Sequence, residues 1–253
     1  MTEYDLIPGI RRSDLWKIHK TPAHFRYEMD HPIGKTPSML FGAAAHKLIL
    51  EPDTFFGEYA ISPWLDRRTK EGKAEWAAFT AKCEENHLDA ISADDYNRIK
   101  EMNASIDAHP TARQLLTGEH EKVFTWADPV TGVGCKAKLD CLTEWNGKKY
   151  IVDYKTTESC EDGAFERSCR KYGYKFQAGM YREAVLQNTF EDYGFIFVAQ
   201  EKTEPYIVRV YECTEEFINE GYDQFRYLIG LYYECNQADY WPGYEDGTLL
   251  GDK

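Results

Sequence analysis

Two carboxylates and one ammonium stand in residues 134–158, where apolar side chains would pack better. Asp140 lies in one run typical of a β-strand, and Asp153 and Lys155 follow the apolar residues 150–152 of the next run. Side chains two positions apart in a strand share a face, so Asp153 and Lys155 lie on the same side. Two carboxylates converging from adjacent strands form a hard-oxygen site for Mg²⁺ or Mn²⁺. An ammonium beside them can orient a metal-bound water or stabilise a phosphate oxygen, which is the chemistry of phosphodiester hydrolysis.

The same spacing has an ordinary interpretation, a surface hairpin with an Asp–Lys cross-pair. The short motif D-x-K is weak by itself, and spacing alone favours the hairpin. However, Asp153 and Lys155 interrupt a run that is typical of an interior strand. Buried charges persist only when they are paired or bound to a metal, which favours the functional interpretation.

The hydrophobic pattern predicts which elements position these strands. Helices are predicted at residues 13–29 (broken by Pro22), 38–51, 72–87 and 91–110. A β-meander is predicted at 121–127, 134–144 and 149–156, followed by a helix over 161–188 with a break at Gly173, strands at 193–200 and 206–212, and a helix from Thr214. The predicted fold class is therefore mixed α/β, with a central sheet flanked by helices. The sequence shows no linker and no repeat, so we expect a single domain over residues 1–253. Residues 10–117 should be mainly helical, and residues 118–245 should contain the sheet core.

Charge is unevenly distributed along the chain. The net charge is −13, from 30 basic and 43 acidic residues, and this argues against a nucleic-acid partner. Residues 165–182 and 66–73 are nevertheless locally basic. Solvated helix faces explain these segments as well as a DNA-binding face does. If the chain binds DNA, the expected backbone contacts are Arg67, Arg68, Lys70, Arg170, Lys171 and Lys175.

Several classes of protein are disfavoured by the sequence. No apolar run reaches the length of a membrane span, and the first residues lack the pattern of a signal peptide, so we expect a soluble cytoplasmic protein. The seven cysteines are widely spread without a C-x-x-C pair. We therefore expect reduced thiols, no structural zinc and no iron–sulfur cluster.

The order of the chemical residues resembles a known signature. Asp140, then Asp153-Tyr154-Lys155 after an apolar strand, is similar to the D…(D/E)-x-K pattern of the PD-(D/E)XK nuclease superfamily. The flanking segments resemble its RecE-type exonucleases (exonuclease VIII) and their phage relatives, in the order of that family. These segments are "SDLWKIHKTPAHFRY", "FGAAAHKLILEP", "DRRTKEGKAEW", "TGVGCKAKLD", "IVDYKTT", "YGYKFQAGMY", "FVAQEKTEPY" and "WPGY". Leu139 replaces the proline of the superfamily name, but both carboxylates are kept.

The resemblance implies a role for individual residues. Asp140 and Asp153 would be metal ligands, joined by His46 and the backbone carbonyl of Tyr154, and Lys155 would be the catalytic lysine. Gln177 and Tyr181 match a Q-xxx-Y element that positions DNA or the lysine, and Glu121 could reach a second metal or a water. Without the resemblance, His46 would be a satisfied core histidine, and Gln177 and Tyr181 a polar pair on a helix surface.

The resemblance also implies an activity. We expect a restriction-endonuclease-like core and Mg²⁺-dependent hydrolysis of linear double-stranded DNA, with Mn²⁺ as a substitute. The direction would be 5′→3′, and the 3′ single strands would pass to a RecT-like annealing protein in a bacterial cell carrying a phage or prophage. A homo-oligomer is implied as well. The alternatives are an endonuclease or structure-specific nuclease of the same fold, and a non-catalytic DNA- or protein-binding module.

Overall fold

Residues 3–245 are described by the structure, which is a computed structural model. The helical part contains α1 (Glu3–Leu6), β1 (Ile10–Arg11), α2 (Arg12–Leu15), a 3₁₀ helix (Trp16–His19), α3 (Pro22–Asp30), α4 (Pro37–Leu50), a 3₁₀ helix (Pro52–Gly57), β2 (Tyr59–Ile61), α5 (Lys70–Glu85), β3 (Asp89–Ile91), α6 (Ala93–Ala108) and α7 (Ala112–Leu115). The remaining elements are β4 (Glu119–Ala127), β5 (Gly134–Trp145), β6 (Lys148–Thr157), α8 (Asp162–Tyr172), α9 (Tyr174–Thr189), β7 (Gly194–Glu201), β8 (Val208–Glu212) and α10 (Glu215–Ala238).

The main sheet has six strands in the order β1-β5-β6-β7-β8, with β4 paired to β5. Asn146 and Gly147 both have positive φ, as a two-residue turn requires, and they join β5 to the antiparallel β6. The crossover α8–α9 then places β7 parallel to β6, and β8 returns antiparallel to β7. The predicted mixed sheet flanked by helices is confirmed.

Each face of this sheet has its own core. On one face, buried residues of α9 and α10 pack with those of β5 and β7; on the other, α4 and α6 pack against β6 and β7. The α9–α10 contact is close, because a Cβ on Gly179 would lie 2.1 Å from the Tyr222 nitrogen and one on Gly221 would lie 1.8 Å from the Lys175 carbonyl oxygen. Glycine at both positions therefore fixes how α9 lies under the sheet.

The helix predictions agree best where a side chain caps the start. Thr36, Ser92 and Thr214 accept hydrogen bonds from Met39, Asp95 and Phe217 at the starts of α4, α6 and α10. The predicted break at Pro22 in the helical segment 13–29 is confirmed, and the part before it is α2 followed by a 3₁₀ helix. Pro22 starts α3, where its missing N–H costs nothing.

The described residues contain no disulfide. All seven cysteines are free thiols, and all except Cys213 are buried. Over residues 3–245, no helix combines the length and the hydropathy that spanning a bilayer requires.

Candidate active site

The candidate site lies at the point where β5 and β6 separate. Their pairing runs from Trp145–Lys148 to Cys141–Val152 and stops there, so Asp140 and Asp153 are the first residues beyond the last pair. Further along the same edge, β5 pairs instead with β1, at Cys135 and Lys136. The edge of β5 between these two partners is therefore open at Asp140.

Asp140 replaces the backbone pairing that is lost there. Its Oδ2 accepts a hydrogen bond of 2.9 Å from the backbone N–H of Tyr154. Tyr154 is itself fully buried, with its ring on the α4 side and its hydroxyl donating to Oε1 of Gln200 at 2.6 Å. A buried N–H without a partner is costly, so the carboxylate also has a structural role in the strand separation.

The side chain of His46 also contacts the carboxylate of Asp140. It lies on α4, and its Nδ1 is 3.4 Å from Oδ2 of Asp140, while its ring meets Tyr154 edge to face at 4.9 Å between centroids. One turn earlier, a Cβ on Gly42 would lie 3.5 Å from Oγ1 of Thr156, which is an ordinary van der Waals distance. The helix α4 therefore lies against β6 here, with His46 at the strand separation.

Asp153 is held from the α9 side of the sheet. Its side chain is 2% exposed, its Oδ1 accepts a hydrogen bond from Nε2 of Gln177, and its Oδ2 lies 2.6 Å from Nζ of Lys155. The Lys155 contact is an ion pair, and Oδ2 makes no other polar contact within the described residues. Oε1 of Gln177 is likewise buried and without a partner. The acid, the lysine and the amide thus share one buried cluster.

Burial dominates the electrostatics of the site. It raises the pKa values of Asp140 and Asp153 to about 6, against the effect of Lys155, which lowers both. Burial also lowers the pKa of His46 to about 4, assisted by the charge of Lys155. At neutral pH the histidine is therefore neutral and able to act as a ligand, and two ionised acids lie in a region that lacks enough positive charge.

Glu121 lies beside Asp140. The neighbouring pairs Lys122–Leu139 and His120–Cys141 place it opposite Asp140 in the β4–β5 ladder, but its φ of +52° interrupts the pairing. Its carboxylate makes an ion pair with Lys138 and its charge contributes to the raised pKa of Asp140. A positive φ in a residue other than glycine is strained, and such strain concentrates at functional sites.

Two tyrosines of α9 lie about one turn from Gln177, Tyr174 before it and Tyr181 after it. Tyr181 was singled out from the sequence, and the charges of Asp153 and Asp140 contribute, after burial, to its raised phenol pKa. Tyr174 was missed: Nζ of Lys155 lies 5.0 Å above its ring, and Asp153 also raises its pKa, again after burial. Tyr174 precedes Gln177 by three residues, so helical spacing from the Q-xxx-Y element could have identified it.

The basic residues singled out from the sequence lie at separate places. Lys171, at the end of α8, lines a cleft of about 430 Å³ with Thr156 and Thr157, which directly follow the site lysine. Lys175 is paired with Glu220 of α10 instead. Arg67 and Arg68 contact Trp76 and Asp66 respectively. Lys70 and Arg170 lie at the first position of α5 and in the last turn of α8.

A divalent cation fits the donor set. Within residues 3–245, no group of three His, Cys, Asp or Glu side chains is arranged to hold a metal ion. The carboxylates are instead turned to the Tyr154 N–H, to Gln177 and to Lys155. Two carboxylates and a neutral imidazole are nevertheless donors suited to Mg²⁺ or Mn²⁺. His46, Asp140, Asp153 and the Tyr154 carbonyl would hold it, with Glu121 near a second position.

Comparisons with known proteins agree with this architecture. The family described as "PDDEXK-like domain of unknown function (DUF3799)" matches residues 12–248. A crystal structure from Eubacterium rectale, named "Putative exonuclease", is similar with a TM-score of 0.58 at 15% identity, over 96% of this chain and 92% of that one. The crystal structure of SSO0001 matches with a TM-score of 0.36 at 15% identity, over 90% and 78%, which is too distant to support an argument. No curated protein sequence matches.

Proposed function

The chain belongs to the PDDEXK-like family DUF3799, and on this premise we propose that it is a divalent-metal-dependent DNA exonuclease. The family and the fold place it in the PD-(D/E)XK nuclease superfamily. One observation carries the proposal: Asp140 and Asp153 meet where two strands separate, with Lys155 2.6 Å from Asp153 and His46 3.4 Å from Asp140. A surface hairpin with an Asp–Lys pair would not bury the second acid or bring a histidine from a distant helix to the first.

The residues of the site divide the work of hydrolysis. A bound Mg²⁺ would polarise a phosphate oxygen and lower the pKa of a bound water. Asp140 is fixed by the Tyr154 N–H and Asp153 by Gln177, so neither acid needs to be ordered when substrate binds. Lys155 lies beside Asp153 and over the Tyr174 ring, where its ammonium can orient the attacking water or stabilise charge on the phosphate.

The narrower features of the proposal come from the resemblance to RecE-type exonucleases. We propose a single nuclease domain that degrades linear duplex DNA in the 5′→3′ direction with Mg²⁺, and Mn²⁺ as a substitute. Its 3′ single strands would pass to a RecT-like annealing protein in recombination. A phage or prophage origin, a homo-oligomer and a location in the bacterial cytoplasm belong to the same proposal.

Digestion of DNA of different topology tests it. Linear duplex, labelled at the 5′ or the 3′ end in separate reactions, should lose the 5′ label first in Mg²⁺, whereas covalently closed circular duplex should stay intact. Linearised product from the circular DNA would identify an endonuclease of the same fold. Intact DNA under every condition, with binding retained, would identify the non-catalytic module instead and overturn the proposal.

A further inference from the structure

Arg12 is a partly buried cation whose role the carboxylate site does not explain. It is the first residue of α2, immediately after β1 has paired with β5. Its Nη2 donates hydrogen bonds to the backbone carbonyls of Tyr172 and Gly173, at 2.9 Å for Gly173. The guanidinium is therefore anchored through one of its three nitrogens.

The anchoring point is itself fixed. Gly173 has φ of +67° between α8 and α9, and a Cβ there would lie 2.5 Å from the Trp16 ring. Only glycine combines this backbone conformation with that contact, so the carbonyls that hold Arg12 cannot easily shift. Because α9 also carries Gln177, the guanidinium and the Asp153 cluster share one rigid support.

The rest of the guanidinium lacks the partners that a buried cation needs. Its Nε is buried and makes no hydrogen bond, and no carboxylate among residues 3–245 lies within 4.0 Å of Arg12. Burial lowers its pKa, opposed by the charges of Tyr181, Asp153 and Tyr174. The Gly173 carbonyl that holds Arg12 also accepts a hydrogen bond of 3.0 Å from the backbone N–H of Gln177, whose side chain donates to Asp153. A buried charge without a counterion is unfavourable unless a ligand supplies one.

Phosphate is the anion that fits this arrangement. A guanidinium presents a planar fork of donors that matches two oxygens of one phosphate, and it stays charged even when partly desolvated. Tyr174 directly follows Gly173, whose carbonyl binds Arg12, and the Lys155 ammonium lies above the Tyr174 ring. Both cations thus lie at the start of α9, so a phosphodiester next to Asp153 would have the Lys155 ammonium and the free edge of Arg12 as its counterions.

We propose that Arg12 binds non-bridging oxygens of a DNA phosphate next to the Asp153–Lys155 cluster, as a substrate-binding residue of the nuclease. This proposal rests on the proposed nuclease function. It differs from a packing role, in which Arg12 would only tie α2 to the junction of α8 and α9. Such a role would require the Nη2 hydrogen bonds but not the charge, and not the free Nε.

The test combines variants of Arg12 with DNA that lacks one charge. Single-turnover cleavage in Mg²⁺ is measured for wild type, Arg12→Ala and Arg12→Gln on unmodified duplex and on duplex with a neutral methylphosphonate at each of the first linkages in turn. Glutamine removes the charge and keeps an amide near the position of Nε, but it ends two bonds short of Nη2 and so also loses the anchor. Arg11→Ala is the matched control, since Arg11 is paired with Asp14 instead.

We expect both Arg12 variants to lose on the order of 10² in rate on unmodified DNA, with Arg11→Ala within a few-fold of wild type. At one linkage, a methylphosphonate should slow cleavage by wild type strongly and cleavage by the Arg12 variants little. The neutral linkage and the Arg12 substitution remove the same contact, so their effects should not add. Equal slowing in all proteins at every linkage, or unchanged cleavage by Arg12→Gln, would overturn the proposal. If wild type itself cleaves no DNA, the proposed function has failed first, and the two failures are thus distinguished.

Discussion

The carboxylate of Asp140 and the backbone N–H of Tyr154 form a hydrogen bond of 2.9 Å across the gap where β5 and β6 stop pairing. The same oxygen lies 3.4 Å from His46, so one atom both completes the strand and faces the candidate metal ligand. A residue with two such roles should respond differently to different substitutions.

Asp140→Asn and Asp140→Ala should separate the two roles. Both should abolish cleavage, because neither retains the anionic ligand. Asparagine still offers an oxygen to the Tyr154 N–H, whereas alanine leaves that buried N–H unpaired, at a cost of about 1–3 kcal/mol. Urea unfolding in EDTA should therefore give a larger free energy of unfolding for the asparagine variant than for the alanine variant. Equal stability of the two would show that water satisfies the Tyr154 N–H.

The pH dependence of stability should reveal the buried acids. The pKa values of Asp140 and Asp153 are raised to about 6 in the folded protein, above the ordinary value of 3.8. The folded state therefore holds these two protons up to a higher pH than the unfolded state does. Metal-free protein should then lose stability as pH rises from about 4 to about 6, on the order of 2–3 kcal/mol per acid. Other carboxylates titrate in the same range, so the comparison is with Asp140→Asn/Asp153→Asn, whose unfolding free energy should lack this decline. Parallel curves for the two proteins would contradict the raised pKa values.

His46→Ala should change the response to metal more than the stability. The imidazole is neutral at pH 7 and contacts Asp140 and Tyr154, and its loss should raise the Mg²⁺ or Mn²⁺ concentration for half-maximal cleavage. The melting temperature in EDTA should fall only slightly, since His46 is 27% exposed along its side chain. A large loss of metal-free stability with an unchanged metal response would identify a packing residue.

Lys171 and Lys175 form a matched pair for DNA binding. Lys171 lines the cleft beside Thr156 and Thr157, whereas Lys175 is paired with Glu220. Lys171→Gln should weaken binding and reduce the slope of log K against log salt by about one, because one fewer counterion is released. Lys175→Gln should leave the slope unchanged. Binding is measured with Ca²⁺, whose loose coordination should not support turnover.

The same assay extends to the other basic residues. Arg68 already has a carboxylate partner in Asp66, and Arg67 lies over Trp76. Neutral variants of these residues would show whether the loop before α5 meets DNA. If the salt slope changes in Lys175→Gln and stays constant in Lys171→Gln, the DNA binds on the side of α10 instead of in the cleft.

Local patterns predicted one half of the site and missed the other. The shared face of Asp153 and Lys155 follows from the two-residue period of one strand, and the sequence was sufficient for it. The Asp140–Tyr154 hydrogen bond depends on the point at which β5 stops pairing with β6 and begins to pair with β1. That point could not be predicted, because a two-residue strand such as β1 is too short to show a hydrophobic period. Arg12 was missed for a related reason: its partners are the carbonyls of residues 160 positions away, which no local pattern contains.

Lys155 is the sharpest test, because it touches Asp153 yet should have a different task. An ammonium cannot bind a cation, so Lys155→Ala should keep Mn²⁺ and DNA affinity within a few-fold at pH 8, where Asp153 is ionised. What is lost is a preorganised positive charge at the attacking water or the phosphate, typically on the order of 10²–10³ in rate, or about 3–4 kcal/mol. The loss should be confined to kcat, because the charge acts in the transition state.

Lys149→Ala is the control for this lysine, since it lies on the same strand and the same face but is paired with Glu191 at the surface. Calorimetric Mn²⁺ titration beside single-turnover digestion distinguishes the possibilities for Lys155. Collapse of metal binding in Lys155→Ala would mean that the lysine mainly holds Asp153 in place. Cleavage at the rate of Lys149→Ala would mean that the ion pair is structural, because a charge that acts on the phosphate cannot be removed without slowing the chemical step.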